Sequence, residues 1–319
     1  MSNLSVLKIG IDVGSGLTKA TSSNGKQFAV ESMVGIYPDT DAFGLDGASR
    51  VDFNGRSFLV GDSARNYLKA SDRYDTLTPD WSGCDGWMAL MYYAIAYSMD
   101  FQPFKGKVSL ATGVPQNLYG SLSKSLSEKM NGKHSFVVNG TPYQIDLEAT
   151  IIPQAFSAAA SYQGKIEQDD ALGIIDIGTY TTGFSSVVDY QLVDHESGGT
   201  EIGMHTLYSD IQEYLKTQGI TVSDPRRIRG IVEKGFVQNK QVPLNIENVL
   251  TERKRAIAKE LSDHISFYWG SASDRYILVA GGGAVHFHEA LREIYPHAAL
   301  IENPFYAVSV GLFNLLESY

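Results

Sequence analysis

Hydrophobic and polar positions along this 319-residue chain fall into two similar halves, each opening on a strand-like apolar run that breaks at glycine. Near the start, Lys8-Ile9-Gly10-Ile11-Asp12-Val13-Gly14-Ser15-Gly16-Leu17-Thr18-Lys19 passes from an apolar run through Asp-x-Gly and back into β-favouring sequence. Past the midpoint, Gly173-Ile174-Ile175-Asp176-Ile177-Gly178-Thr179-Tyr180-Thr181-Thr182 repeats the pattern. A short apolar run flanked by Gly and Ser/Thr predicts a buried strand turning tightly into a hairpin. A third run, Tyr276-Ile277-Leu278-Val279-Ala280, ends in Gly281-Gly282-Gly283-Ala284 and a helix-forming stretch.

Other elements follow from the same periodicities. Residues 51–53 and 57–60 flank Asn54-Gly55, and residues 136–138 and 141–145 flank Asn139-Gly140; both are hairpin signals. Residues 108–113 predict a strand leading into Val114-Pro115, and a strand through Ile151-Ile152 delivers Pro153-Gln154. The most apolar stretch, residues 87–99, is too short to span a bilayer and reads as a buried helix. A helix is expected from Ala155 to about Gly164, with Ala155 and Ala159 on one face, and Asn303-Pro304 opens a last helix carrying Ala307 and Gly311 at the same spacing. Small residues there suit either a hinge between lobes or an ordinary close-packed core. In the second half, Leu207, Ile211 and Leu215 mark one helix and residues 224–235 a short one bearing Arg226, Arg227 and Arg229. Residues 251–269 place Ile257, Leu261 and Ile265 at fourfold spacing, which predicts a helix packed on a sheet.

The repeated hairpins carry candidate chemistry. Glycine allows positive φ at the turn, so several backbone N–H groups can converge on one anion. Asp12 and Asp176 would repel a phosphate, but they suit outer-shell ligation of a Mg²⁺ carried in with phosphates, because Mg²⁺ keeps most of its waters. Two such loops facing each other would grip one nucleotide from both sides. Three consecutive glycines at 281–283 would let a flat ligand lie directly on the main chain. His286 and His288 lack a third ligand nearby in sequence, which argues against zinc. The three arginines at 226–229 are read as a solvated face or a subunit contact rather than a nucleic-acid site.

Taken together, these residues resemble the actin-like ATPase superfamily, which also holds the heat-shock chaperone ATPase domain and the sugar kinases. Gly14 to Ala20 is similar to the first phosphate loop of actin, Asp176-Ile177-Gly178 with Thr181-Thr182 to the second, and Gly281-Gly282-Gly283-Ala284 to the adenosine motif. Ile152-Pro153-Gln154-Ala155 and residues 307–311 resemble the two connecting motifs. The compact length and the Pro-Gln motif look closest to the ParM/StbA plasmid-segregation actins and their archaeal relatives. Two positions depart from those patterns: Gly183 stands where many relatives have Asp, and Gln154 where ParM proteins often have Glu.

The resemblance implies an α/β, two-domain actin-like (ribonuclease H-like) fold with a nucleotide cleft between duplicated lobes. Domain I would cover residues 1–155, with a small subdomain at about 31–80, and be completed by 305–319. Domain II would cover 156–304, with a small subdomain at about 205–250. It implies ATP, with GTP left open, as the nucleotide, together with Mg²⁺ near Asp12 and Asp176. Gly14, Ser15, Gly16, Gly178, Thr179 and Thr181 would cradle phosphates, and Lys19 would place a positive charge on them. Gly203 falls in the region that closes on ribose and phosphates, and Gly281, Gly282 and Gly283 fall at the adenosine. Lys254 or Arg255 would reach the adenosine or remain an exposed helix charge. Gln154 would orient the attacking water, with Asp12 and Asp176 as the other catalytic groups.

Composition narrows the function. Hydrophobic residues at 43% and charged residues at 19% describe a globular chain. A formal net charge of −10 argues against wrapping DNA directly, which needs a basic surface, while leaving room for a basic DNA-binding adaptor. The single cysteine, Cys84, and the short polar start at residues 1–6 point to a reducing cytoplasm without a signal peptide or membrane association. Two function classes remain. One is an ATP-hydrolysing protein that polymerises with itself into filaments and segregates plasmid DNA through an adaptor. The other is a small-molecule kinase of the same fold, although such kinases usually run longer and offer a catalytic Asp beside an acceptor pocket. A chaperone ATPase is not expected, since no substrate-binding domain is read after Tyr319.

Overall fold

The computed structural model describes residues 6–38, 47–164, 171–238 and 243–317; the first five residues of the leading segment read above lie outside them. The chain divides into two compact units, Met1–Lys165 with Tyr306–Tyr319, and Ile166–Phe305.

In the first unit, β1 (Leu7–Val13), β2 (Leu17–Ser22), β3 (Gln27–Glu31), β4 (Val34–Ile36), β5 (Arg50–Phe53) and β6 (Arg56–Val60) precede α1 (Asp62–Tyr67) and α2 (Asp85–Ser98). Then come β7 (Phe104–Val114), α3 (Tyr119–Met130), β8 (Gly132–Val138), β9 (Thr141–Pro153) and α4 (Gln154–Ala159). The second unit contains β10 (Ala171–Ile177), β11 (Thr182–Val188), β12 (Gln191–Thr200), α5 (Met204–Thr217), α6 (Pro225–Lys234), β13 (Phe236–Val237), β14 (Leu244–Asn245), α7 (Glu247–Trp269), β15 (Arg275–Ala280), α8 (Ala284–Arg292) and β16 (Ala299–Leu300). The chain returns to the first unit as α9 (Ala307–Glu317).

The two sheets share a plan. The first begins β3-β2-β1-β7-β9 and the second runs β12-β11-β10-β15-β16. In each, a three-stranded antiparallel meander is followed by two strands added in parallel. The first sheet continues through β8 into β5, β6 and β4. The strands within residues 31–80 therefore extend the main sheet rather than forming a separate one. Both hairpins expected at Asn-Gly are present, with left-handed backbone at Asn54-Gly55 and Asn139-Gly140.

Burial explains the arrangement. Ile9, Ile11, Val108 and Leu110 on parallel neighbours are fully buried, and α2 covers them with Trp87, Leu90, Met91 and Ile95. In the second unit, Ile175, Phe184, Val279, Leu207, Ile211, Ile257, Leu261 and Ile265 form the corresponding core. No helix among the described residues is long and apolar enough to cross a membrane.

Two helices depart from the sequence reading. α4 ends at Ala159 instead of near Gly164: Ala160 and Ser161 bond back three residues, and the Ala160 carbonyl accepts from the Asn314 amide at 2.9 Å. α7 starts at Glu247, one turn before Thr251, where the Asn245 side chain accepts from the Glu247 N–H at 2.8 Å and so partners one of the four donors at the helix start.

The small-residue spacing is explained by contact between α4 and α9 inside the first unit. A Cβ at Gly311 would overlap the Ser157 carbonyl oxygen. One at Gly10 would overlap α9 backbone at Ser309, so β1 and α4 both approach α9 closely.

Candidate functional site

The strand register places the candidate residues of the first hairpin. β1 and β2 pair Asp12 with Lys19 and Val13 with Thr18. The paired side chains form a buried ion pair, Lys19 Nζ to Asp12 Oδ2 at 2.9 Å. Gln154, the first residue of α4, donates its Nε2 to Asp12 Oδ1 at 2.8 Å. Three predicted site residues from three elements thus meet at one buried carboxylate. Tyr306, at the entry to α9, is near enough for Lys19 to oppose the upward pKa shift that burial gives its phenol.

The turn after Asp12 is pinned by residues with no motif of their own. Ser32 Oγ donates to the Gly14 carbonyl at 2.5 Å, Ser32 N–H to the Gly16 carbonyl at 3.0 Å, and Thr76 Oγ1 to the Ser15 carbonyl at 2.8 Å. With carbonyls 14, 15 and 16 all engaged by Ser32 and Thr76, the loop is held without using its own N–H groups in those contacts. Ser32 and Thr76 were missed in the sequence because they act from 18 and 61 positions away.

The second hairpin repeats the first at a constant offset. Asp176 faces Gly183, and Ile177 faces Thr182. Thr18 and Thr182, each six residues after its aspartate, are fully buried. Thr18 bonds Ser32 Oγ at 3.0 Å, and Thr182 donates to the Ile202 carbonyl at 2.7 Å. The difference lies opposite the aspartate, where one hairpin has Lys19 and the other has Gly183. Position 183 is therefore a direct cross-strand neighbour of Asp176.

The reason for glycine in these turns is corrected by the backbone. Neither Gly14 nor Gly178 adopts positive φ. What each needs is a missing Cβ, which would lie 3.0 Å from the Leu17 carbonyl oxygen at Gly14 and 2.9 Å from that of Thr181 at Gly178. The two turns are narrow in the same way, three residues across. In the second, Gly178 N–H donates to the Thr181 carbonyl at 2.8 Å, while the Gly178 and Thr179 carbonyls accept from Met204 and His205 at the start of α5. Gly203 packs against Thr179, where a Cβ would come within 2.8 Å of its carbonyl oxygen. Gly203 therefore packs closely on the loop backbone at Thr179 and Tyr180.

The three glycines after β15 divide by role. Gly281 has φ +89°, and a Cβ there would overlap the Ile177 carbonyl and approach Asp176 Oδ1 to 2.5 Å. Gly283 N–H donates to the Ile177 carbonyl at 2.8 Å, and a Cβ there would press on the Ile177 side chain at 2.5 Å. Both are required to seat this turn on the end of β10. Gly282 alone has room, its nearest neighbour being the Phe305 ring at 3.7 Å. Beyond it, His286 has its pKa pushed down by burial and then by the Lys254 charge, while Glu233 opposes the shift. Lys254 is itself pushed down by burial. Arg255 points elsewhere, pairing with Glu293 at 2.7 Å on the surface.

No group of three or more His, Cys, Asp and Glu side chains gathers among the described residues. A cation at Asp12 or Asp176 would take most of its ligands from water and from a bound anion. That donor set fits Mg²⁺, which is bound through one or two carboxylates plus phosphates rather than by an all-protein cage.

Comparison with known proteins agrees with the duplicated architecture. Residues 10–156 match the family described as actin like proteins N terminal domain, and residues 174–293 match the archaeal actin homologue MreB-like C-terminal family. Searched by sequence, no curated protein matches the chain. Among solved structures, the archaeal actin homologue Ta0583 superposes with a TM-score of 0.84 at 20% identity, covering 98% of this chain and 99% of that one; it has also been solved in complex with ADP. A 15-stranded ParM filament from Clostridium botulinum gives a TM-score of 0.77 at 18% identity, covering 98% and 99%. ParM from Bacillus thuringiensis with AMPPNP gives 0.74 at 18% identity with the same coverage. At these identities the likeness is one of fold.

Proposed function

Because the chain belongs to the actin-like proteins, both of its halves being matched by their families, we propose that it binds and hydrolyses ATP with Mg²⁺ and polymerises with itself. The observation that carries this reading is the meeting of Lys19 and Gln154 on the buried Asp12 carboxylate, beside a turn whose carbonyls are engaged by Ser32 and Thr76. Its counterpart at Asp176 and Gly178 has the same register and the same tight turn.

The residues then take roles. The turns at Gly14–Gly16 and Thr179–Thr181 would offer backbone N–H groups to phosphate oxygens. Lys19, already held by Asp12, supplies a fixed positive charge beside the first turn. Asp12 and Asp176 would hold the waters of the cation, and Gln154, fixed by Asp12, would orient the attacking water. Mg²⁺ would supply charge neutralisation on the phosphates. Phosphoryl transfer asks mainly for such placement and charge stabilisation, so no strong base is needed. Gly282 is where the base would approach the main chain most closely.

Hydrolysis would act as a timer on filament contacts. Support for polymerisation comes from the fold shared with a ParM filament, and support for nucleotide from relatives solved with ADP and AMPPNP. By the same analogy, the cargo is plasmid DNA held through a basic adaptor in the cytoplasm, since the net charge of −10 disfavours direct DNA contact.

The test is sedimentation and light scattering of the purified chain with ATP, GTP or ADP, with and without Mg²⁺, alongside phosphate release. Assembly that requires nucleoside triphosphate and decays as phosphate appears is the expected result. Phosphate transfer that requires a small-molecule acceptor, with no polymer, would replace this reading by a kinase.

A further inference from the structure

One glycine inside β7 has no backbone reason to be there. Gly113 is buried near the end of this strand, and its φ lies outside the left-handed region, so its conformation is open to any residue. Glycine in a strand interior weakens the strand and often marks a close approach by another group. The group that approaches is Gln154. A Cβ at Gly113 would lie 2.6 Å from Gln154 Cγ, with Gln154 Cα and Cβ at 3.6 Å, and these are the nearest atoms it would meet.

Strand register explains the approach. β1 and β7 run parallel with Gly10 beside Ala111, and residues two apart share a face, so Asp12 and Gly113 are neighbours on one face of the sheet. Lys19 joins this row from β2, and Ile152 continues it on β9. Gln154 opens α4 directly at the end of β9, and β7 separates β9 from β1. Its side chain therefore passes over β7 to reach Asp12 Oδ1 at 2.8 Å, and the position beneath it is Gly113. Thr112 holds the two strands in this alignment, its buried hydroxyl donating to the Ile11 carbonyl at 2.8 Å.

We propose that Gly113 is a positioning residue for hydrolysis: its missing side chain is the space through which Gln154 reaches the Asp12 carboxylate and is held for the attacking water. The inference rests on the water-orienting role proposed for Gln154 and adds what lets that side chain take its place. A Cβ at position 113 would have to move Gln154 Cγ by about 1 Å to restore ordinary carbon–carbon contact. That Cγ lies mid-chain between two anchors, the α4 backbone and the bond to Asp12, so it retreats only by giving up the bond. A misplacement of about 1 Å can cost on the order of a hundredfold in rate where chemistry depends on placement. Lys19 and the turn at Gly14–Gly16 are not among the atoms such a Cβ would meet.

The test compares Gly113→Ala in two backgrounds. In the otherwise native chain it should slow phosphate release from ATP on the order of tenfold or more, towards the rate of Gln154→Ala, with nucleotide affinity near wild type. Without nucleotide its urea midpoint should also fall, because the Gln154–Asp12 bond is lost. In the Gln154→Ala chain the obstructing Cγ is gone and only ordinary contact at 3.6 Å remains. There Gly113→Ala should leave the rate unchanged and the midpoint equal or higher, since alanine restricts the unfolded chain more than glycine does. Wild-type rate and midpoint in the single Gly113→Ala variant would overturn the positioning role, while Gln154 would still be judged by its own variant. Equal losses in both backgrounds would also overturn it, since they mark a glycine needed only for the strand. Wild-type hydrolysis by Gln154→Ala would bring down both readings together.

Discussion

The Gln154 side-chain amide donates to Asp12 Oδ1 at 2.8 Å, across 142 positions of sequence. That bond ties the proposed water-orienting residue to the proposed metal-shell residue. The Lys19 ammonium on the other carboxylate oxygen completes a fixed group of three. Gln154→Ala removes one member without touching either turn. Nucleotide affinity should stay near wild type while phosphate release slows on the order of a hundredfold, about 2.7 kcal/mol of transition-state stabilisation. Filaments formed with ATP should persist correspondingly longer by light scattering. Hydrolysis at the wild-type rate would move the water-orienting role to another residue.

Asp12→Ala should behave differently, because it also strands a buried cation. The Lys19 and Asp12 side chains are 11% and 5% exposed. Removing one partner of such a pair typically costs about 3–5 kcal/mol. Denaturant unfolding should show that loss, and calorimetry should show Mg²⁺–nucleotide binding abolished. Asp12→Ala/Lys19→Met should recover part of the stability and none of the binding. A single variant as stable as wild type would contradict the buried pair.

Glycines 281 and 282 separate fold from ligand. Gly281→Ala places a Cβ into the Ile177 carbonyl at a φ of +89°, so it should destabilise the second unit by about 1–3 kcal/mol. Gly282→Ala meets nothing closer than 3.7 Å and should leave the melting temperature unchanged. If the base lies against this turn, Gly282→Ala and more strongly Gly282→Val should still weaken nucleotide binding. Undiminished affinity in Gly282→Val would remove Gly282 from the base contact.

Gly311→Ala is the smallest possible probe of the α4–α9 contact. Its Cβ would overlap the Ser157 carbonyl oxygen, which is backbone and cannot rotate away. The helices must separate, at about 1–3 kcal/mol for an overpacked contact. Thermal melting should report that loss, and Gly311→Leu should lose more. An unshifted melting temperature for Gly311→Ala would show that the helices yield freely.

Acid should weaken the second unit through His286. Burial pushes its pKa below the ordinary value of 6.5, so the unfolded chain takes up a proton that the folded chain resists. The contribution is therefore intact above pH 6.5 and is lost as pH falls below it. Replacing it by a neutral side chain, His286→Gln, should flatten the stability loss between about pH 7 and pH 5.5, measured by denaturant midpoint. A wild-type slope in the variant would assign the acid sensitivity to other groups.

Much of this protein is legible locally. The duplicated Asp-x-Gly hairpins, both Asn-Gly turns, the buried helix at Asp85–Ser98 and the arginine-rich α6 all follow from short-range pattern, because strand period, turn chemistry and capping act over a few residues. The candidate aspartates, glycines and Gln154 were visible in the same way. What only tertiary structure decided is which of those glycines are there for space. Gly281, Gly283 and Gly311 answer to carbonyls and side chains that arrive from distant segments, and Gly14 and Gly178 to the narrowness of their own turns rather than to positive φ. Ser32 and Thr76, which hold the first turn in shape, carry no local signature at all. Their effect depends on hydrogen bonds that span about 3 Å in space but tens of residues along the chain, and no periodicity in a single sequence records such a contact.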